Sequence, residues 1–122
     1  MRAAGLRSVA TILHSEAVLI QSSVTKHPHL EPLIQMITAR IAGVIAAAQY
    51  VLCNYNIPRD KLSHATSVTP GRRAPTVSPL EMEGWVAVSA MIERNGVASV
   101  MDQLKSIGAE DILIFKIDNS RG

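Results

Sequence analysis

The pattern of the chain from Gln49 onward predicts an α+β fold: a four-stranded antiparallel sheet with two helices on one face, preceded by a long helix. Three observations carry this expectation. From Gln49 the signals run strand, helix, strand, strand, helix, strand. Upstream of them, Leu30, Leu33, Ile34, Ile37, Ile41, Val44 and Ile45 form one wide apolar face at helical spacing. Between the two halves lies Thr69-Pro70-Gly71-Arg72-Arg73-Ala74-Pro75-Thr76-Val77-Ser78-Pro79-Leu80, which joins turn chemistry to strand-like alternation. Each strand-helix-strand unit must cross over with right-handed sense, and the compact solution is the ferredoxin-like βαββαβ arrangement.

Composition sets the outer bounds. A chain of 122 residues makes about one domain and can bury roughly two-thirds of its unfolded surface. It is 48% hydrophobic and 18% charged, as in an ordinary soluble protein. Aromatic residues make up only 3%, so the core has to be aliphatic. A formal net charge of +2, with no basic cluster interleaved with aromatics, argues against nucleic acid. Cys53 is the one cysteine, which excludes an intrachain disulfide framework. It sits in an apolar run and reads as a buried structural thiol. Ser8, His14 and Ser15-Glu16 break up the amino-terminal apolar runs, unlike a signal peptide. The longest apolar stretch, 41–51, is shorter than the ~20 residues that span a bilayer. The expectation is a cytoplasmic protein with no membrane contact.

Three parts follow in order. Residues 1–28 read as a short helix ending near Leu13 and a strand at Ala17-Val18-Leu19-Ile20. A lone strand with no local partner looks like the tail of another domain. Residues 29–48 are the connecting helix, with Pro28 and Pro32 at its start and Glu31 suited to the positive end of its dipole. Residues 49–122 are the ferredoxin-like domain. There Gln49 to Asn56 is rich in β-formers, and Pro58 opens a short helix over about 59–66. Pro70-Gly71 marks a turn. Pro75 and Pro79 lack N–H groups, so the strand they bound lies at a sheet edge. Trp85 to Ile92 alternates, with Val86, Val88, Ala90 and Ile92 on one face. Asn95 is the expected cap of the next helix, Val97, Val100, Met101, Leu104 and Ile107 are its apolar stripe, and Gly108 its stop. Residues 111–117 form the last strand and 118–122 a polar tail. The sheet face turned away from the helices needs cover, which predicts self-association.

The sequence carries none of the phosphate-loop, dinucleotide, C-x-x-C, H-E-x-x-H or G-x-S-x-G signatures. His27-Pro28-His29 reads as a solvated loop and His64 as an exposed helical residue. Trp85 reads as core or interface. The arginines Arg72 and Arg73 suit a carboxylate or phosphate equally with solvent. In the predicted fold Asn56 ends the first strand, Thr76 follows the proline loop and Asp111 begins the last strand. None of the three is needed for the core. Together they offer what a bound amino acid requires, an acceptor for its ammonium and donors for its carboxylate.

Four motifs in order are Asn56-Ile57-Pro58-Arg59, the proline loop, Glu83-Gly84-Trp85-Val86-Ala87-Val88 and Gly108-Ala109-Glu110-Asp111-Ile112-Leu113. Through them the chain resembles the carboxyl-terminal regulatory, ACT-like domain of long-form ATP phosphoribosyltransferase. The resemblance implies several things that the residues alone do not. It implies the first enzyme of histidine biosynthesis, a glycosyltransferase, under allosteric feedback inhibition by histidine. The effector would bind between neighbouring regulatory domains, at positions matching Asn56, Arg72, Thr76 and Asp111. Thr76 matches the family's Pro-Thr motif. Asn56 corresponds to a position often acidic in the family and Asp111 to one often small, as though the negative charge had moved. The partners implied are histidine, the catalytic domain and further copies in a hexamer. Magnesium is implied for the complete enzyme, with no cofactor in this chain. The family's acidic, Gly-Thr-Thr-bearing phosphoribosyl-pyrophosphate loop lies just upstream of the segment that 1–6 resembles, so the chain is expected to be inactive alone. The rival reading is a ferredoxin-like assembly module that takes no small molecule.

Overall fold

A computed structural model describes residues 7–24 and 27–121. Helix α1 (Glu31–Ala48) is entered through a 3-10 turn at Pro28–Leu30. Strand β1 (Tyr50–Pro58) leads through a 3-10 turn at Arg59–Lys61 into α2 (Leu62–Val68). The edge strand β2 (Thr76–Pro79) and then β3 (Trp85–Glu93) follow. A third 3-10 turn, Arg94–Gly96, opens α3 (Val97–Ile107), and β4 (Glu110–Lys116) ends the domain. The strands lie in the order β2-β3-β1-β4, and all neighbours are antiparallel. This is the predicted ferredoxin-like topology.

Alternation builds the core. Val51, Cys53, Tyr55 and Ile57 of β1 face the helices, cross-strand from Ile92, Ala90, Val88 and Val86 of β3. Ala65 of α2 and Leu104 of α3 close over them, flanked by Leu62, Val68, Val97, Val100 and Ile107. Because side chains alternate along a strand, each inward residue on β1 or β3 is followed by one that faces away. The sheet therefore has a packed face and an open one.

One polar pair lies inside this core. The Tyr55 hydroxyl and Thr69 Oγ1 are 2.7 Å apart, and Thr69 Oγ1 is 3.1 Å from the Ala65 carbonyl. A hydroxyl has one proton. Thr69 donates it to Ala65, so Tyr55 donates to Thr69. This fully buried tether fixes the end of α2, where the loop containing Pro70 and Gly71 departs.

Burial pushes the Cys53 thiol from its ordinary 9.0 up to about 11, and it raises the Tyr55 phenol as well. Both shifts favour the neutral form in the folded state. The neutral thiol's contribution to stability is thus fully present below pH 9.0 and is lost as pH rises from 9.0 to about 11. In urea titrations over this range, Cys53→Ala should show a flatter fall of midpoint with pH than the parent. Equal slopes would mean that the thiol is not the titrating group.

Helix α3 ends as predicted. Gly108 takes the left-handed conformation (φ 102°), and the Gly108 and Ala109 N–H groups close onto Lys105 and Leu104. Its start differs from expectation. Asn95 lies inside the 3-10 turn and makes no capping bond; Gly96 occupies the cap position. The chain enters instead through Arg94, whose N–H and Nε bond the Gln49 and Ala48 carbonyls. That anchor sets the turn and leaves no role for a side-chain cap.

Residues 7–24 hold no helix or strand, contrary to the expected helix and strand there. Val18, Leu19 and Ile20 have strand propensity but are exposed, and among the described residues only β1–β4 pair. A β-former without a ladder partner does not make a strand. The part of that expectation on 1–6 lies outside the described residues.

Helix α1 buries only Gly43 and Ala47, while Leu33, Met36, Ile37, Ile41, Val44 and Ile45 stay 38–58% exposed. By length and composition Pro28–Ala48 reaches the threshold of a membrane span, a test that core helices of soluble proteins also pass. The stretch 41–51 alone is too short for this, and the apolar residues upstream of it in the same helix make up the length. The polar tail docks on this helix: Ser120 N–H donates to the Gly43 carbonyl at 3.0 Å, and Asn119 Nδ2 lies 3.5 Å from the Arg40 carbonyl. A methyl at Gly43 would lie 2.5 Å from Asn119 Oδ1 and 3.1 Å from the Ser120 carbonyl. Gly43→Ala should therefore change stability by less than about 1 kcal/mol, since the gain in helix propensity offsets the lost contact. It should also release the tail, read as faster amide exchange at Ser120. Unchanged protection there would show that the close approach is dispensable.

Candidate functional site

The open face of the sheet has two chemical halves. Toward the Tyr50 end of β1, Leu52 pairs with Met91 on β3 and Phe115 on β4, with Leu113 beside them. Leu113 and Phe115 are about half exposed. Toward the Pro58 end the face turns polar. Thr76, Ser89 and Asn54 lie side by side across β2, β3 and β1, and Ser78, Ala87 and Asn56 form the next row.

Asp111 completes this polar end through a backbone irregularity. Asn54 pairs with Leu113, but Asn56 pairs with Glu110, so β4 uses one more residue than β1 between the two pairs. This is a β-bulge, and such bulges re-aim side chains. Asp111 sits in it at φ 50°, the one positive-φ non-glycine residue among those described. Asp and Asn tolerate that region better than other side chains because they are short and bond locally. The outcome is a contact between two strands: Asn56 Nδ2 donates to Asp111 Oδ2 at 3.0 Å. The amide thereby holds one carboxylate oxygen and leaves the other open.

Asn56, Thr76 and Asp111 line one cleft of about 250 Å³, together with Asn54, Ser78 and Ser89. Three of the four residues expected from the sequence are thus brought together. Arg72 is not. It lies at the other end of β1, with its guanidinium 5.6 Å above the Tyr50 ring, and lines a separate cavity of about 500 Å³ with Met91 and Glu93. At about 3.3 Å per residue, Tyr50 and Asn56 are roughly 20 Å apart along the strand. The larger cavity lacks the hydrogen-bonded pair that marks the smaller one, and its arginine is already engaged by an aromatic ring.

The sequence reading missed Asn54, Ser78 and Ser89. A signal for the first was present: Asn54 and Asn56 fall two apart on a strand whose odd positions are apolar, so both must share the outward face. His64 is exposed on α2. His27 and His29 stand edge to face at 5.7 Å between ring centres, and both are exposed. Among the described residues no group of three or more His, Cys, Asp or Glu converges as a metal site would require.

Fold and site together define a small ferredoxin-like domain with one packed sheet face and, on the other, a small cleft that mixes apolar walls with Asn54, Asn56, Thr76 and Asp111. The chain belongs to the family described as HisG, C-terminal domain, which matches residues 47–119. It is 58% identical to an ATP phosphoribosyltransferase of Yarrowia lipolytica over 121 residues, covering 99% of this chain and 40% of that protein. It is 52% identical to the ATP phosphoribosyltransferase of Saccharomyces cerevisiae, with the same coverage of both chains. To that of Schizosaccharomyces pombe it is 50% identical, over 99% of this chain and 39% of the relative. The chain thus spans about 40% of the length of the curated relatives it matches.

Proposed function

We propose that this chain is the regulatory portion of an ATP phosphoribosyltransferase, the first enzyme of histidine biosynthesis, and that it binds histidine as a feedback effector. The observation that carries the reading is the convergence of Asn56, Thr76 and Asp111 in one cleft on the open sheet face. The free oxygen of Asp111 accepts from the ligand's ammonium, with Asn56 holding the carboxylate in place. Thr76, Ser78 and Ser89 offer hydroxyl donors for the ligand's carboxylate. At about 250 Å³ the cleft is below the 300–1,000 Å³ of drug-sized pockets, which fits a single amino acid. Its outer side is open, and a second copy closes it in this reading. The apolar half of the same face, with Leu52, Met91 and Phe115, supplies the surface for that contact.

Feedback is then a coupling free energy. Histidine favours the assembly in which the cleft is closed, and the low-activity state gains by the difference in affinity. Transfer chemistry, with its nucleotide, phosphoribosyl pyrophosphate and magnesium, falls in the portion of the relatives that this chain does not match. The test is calorimetric titration of histidine. Thr76→Val removes one hydroxyl at nearly constant volume and leaves its partner unpaired, a loss of about 1–3 kcal/mol of affinity. A parent chain that self-associates but takes up no histidine would favour the rival, an assembly module without a small-molecule ligand.

A further inference from the structure

Asn54 lines the cleft one row from the Asn56–Asp111 pair, and its Oδ1 is shut from solvent with no hydrogen-bond partner. It is the one such side-chain atom among the described residues. A buried acceptor left unmade costs free energy, so a native chain that keeps one has a use for it. Nothing in the fold requires an amide there. The position faces away from the core, and β-branched residues suit a strand better than asparagine does.

We propose that Asn54 is the specificity-determining acceptor of the cleft, receiving a ring N–H of the bound amino acid. This rests on the histidine reading above and adds to it the group that tells histidine from other amino acids. Asp111 and Asn56 hold the ammonium end. Asn54 lies two residues further along β1, about 7 Å away, in the direction in which the ligand's side chain extends toward Leu113. The amide turns on a soft two-fold torsion, so its oxygen can face the cleft. A neutral acceptor suits a neutral imidazole, which always carries one N–H. Phenylalanine or leucine in the same place would leave the acceptor unpaired, and such sites reject ligands without the matching donor far more strongly than shape alone does.

The experiment titrates the chain and Asn54→Val calorimetrically with histidine, with its two ring N-methylated forms and with phenylalanine, and records the thermal midpoint of each unliganded protein. Asn54→Val should weaken histidine roughly 5- to 150-fold, the range of one lost hydrogen bond to a buried group. Neither methylhistidine has a ring N–H when its imidazole is neutral, so at a pH that keeps it neutral each should bind the parent as weakly as histidine binds the variant, and should lose nothing further in the variant. The unliganded variant should melt no lower than the parent, because it has lost only an unmade acceptor. Unchanged histidine affinity in Asn54→Val overturns this role and leaves the histidine reading standing. A methylhistidine that binds the parent as tightly as histidine overturns it too, as does a further loss for either in the variant, by showing a packing effect, and a lower melting point, by showing an internal partner. No histidine binding by the parent overturns the reading and this inference together.

Discussion

Leu104→Ala is expected to destabilise the domain by about 3–5 kcal/mol, the upper part of the range for buried Leu→Ala changes. The size follows from where the side chain sits. Leu104 is fully buried, on the face of α3 that closes over β1 and β3, among Val100, Ile107 and the strand residues Tyr55 and Val88. Cores pack at near-crystalline density, so truncation removes both the transfer free energy of the lost atoms and the contacts of the cavity lining. The neighbours are held on both sides: the strands by their ladder, and α3 by the close of its C-terminal turn, where the Ala109 N–H bonds the Leu104 carbonyl. They can collapse little into the void. Against a total stability of roughly 5–15 kcal/mol this is a large fraction. Urea denaturation reads it as a lower midpoint at unchanged slope. Leu104→Met, which conserves volume, should cost less than about 1.5 kcal/mol. A loss below 1 kcal/mol for the alanine variant would show that α3 is not seated on the sheet as described.

Elements with a strong period and a local stop signal were legible in the sequence. In β3, four apolar residues at strict alternation have one physical solution, a strand with one packed face, and Val86, Val88, Ala90 and Ile92 occupy it, while β1 was legible from its β-formers. Helix α3 carried its stripe and its stop together, because only a residue free to adopt positive φ ends a helix as Gly108 does. Propensity without a partner misled. Ala17-Val18-Leu19-Ile20 has the composition of a strand, but a strand is a property of two chains, and no pairing signal stood beside it. Asn95 is a good capping residue in the abstract, yet Arg94 reaching back to Ala48 decided how the chain turns.

Legibility of the site followed the same division. Asn56, Thr76 and Asp111 were placed together by topology, since the end of β1, the start of β2 and the start of β4 must meet once the strand order is β2-β3-β1-β4. Arg72 was carried by the resemblance alone, and no strand register controls a loop side chain. Its stacking on Tyr50 is a tertiary contact that the local sequence does not encode. The bulge that turns Asp111 toward Asn56 was invisible for a different reason. It depends on a mismatch of one residue between two strands more than fifty positions apart, and no local window contains both.

Asp111 therefore supplies the sharpest test of the site, because its backbone and its carboxylate make separate demands. Its φ of 50° costs a side chain roughly 1–2 kcal/mol and glycine nothing. Asp111→Gly should leave the thermal midpoint of the unliganded chain unchanged or higher, the relief offsetting the lost bond from Asn56. Asp111→Asn keeps shape and tolerance of the left-handed region but removes the charge. If the carboxylate meets the ligand's ammonium, both variants lose a charge-assisted bond of about 1.5–3 kcal/mol, roughly 10- to 150-fold in histidine affinity. Glycine should be the worse binder of the two although it is the more stable protein. That opposition separates a binding residue from a structural one, since a residue that acts only by holding the bulge would lose binding and stability in parallel. Calorimetric titration of histidine beside thermal unfolding gives both quantities on the same samples. Histidine affinity unchanged within a factor of two in both variants would place Asp111 outside the site and leave Thr76 and Asn56 to be explained without it.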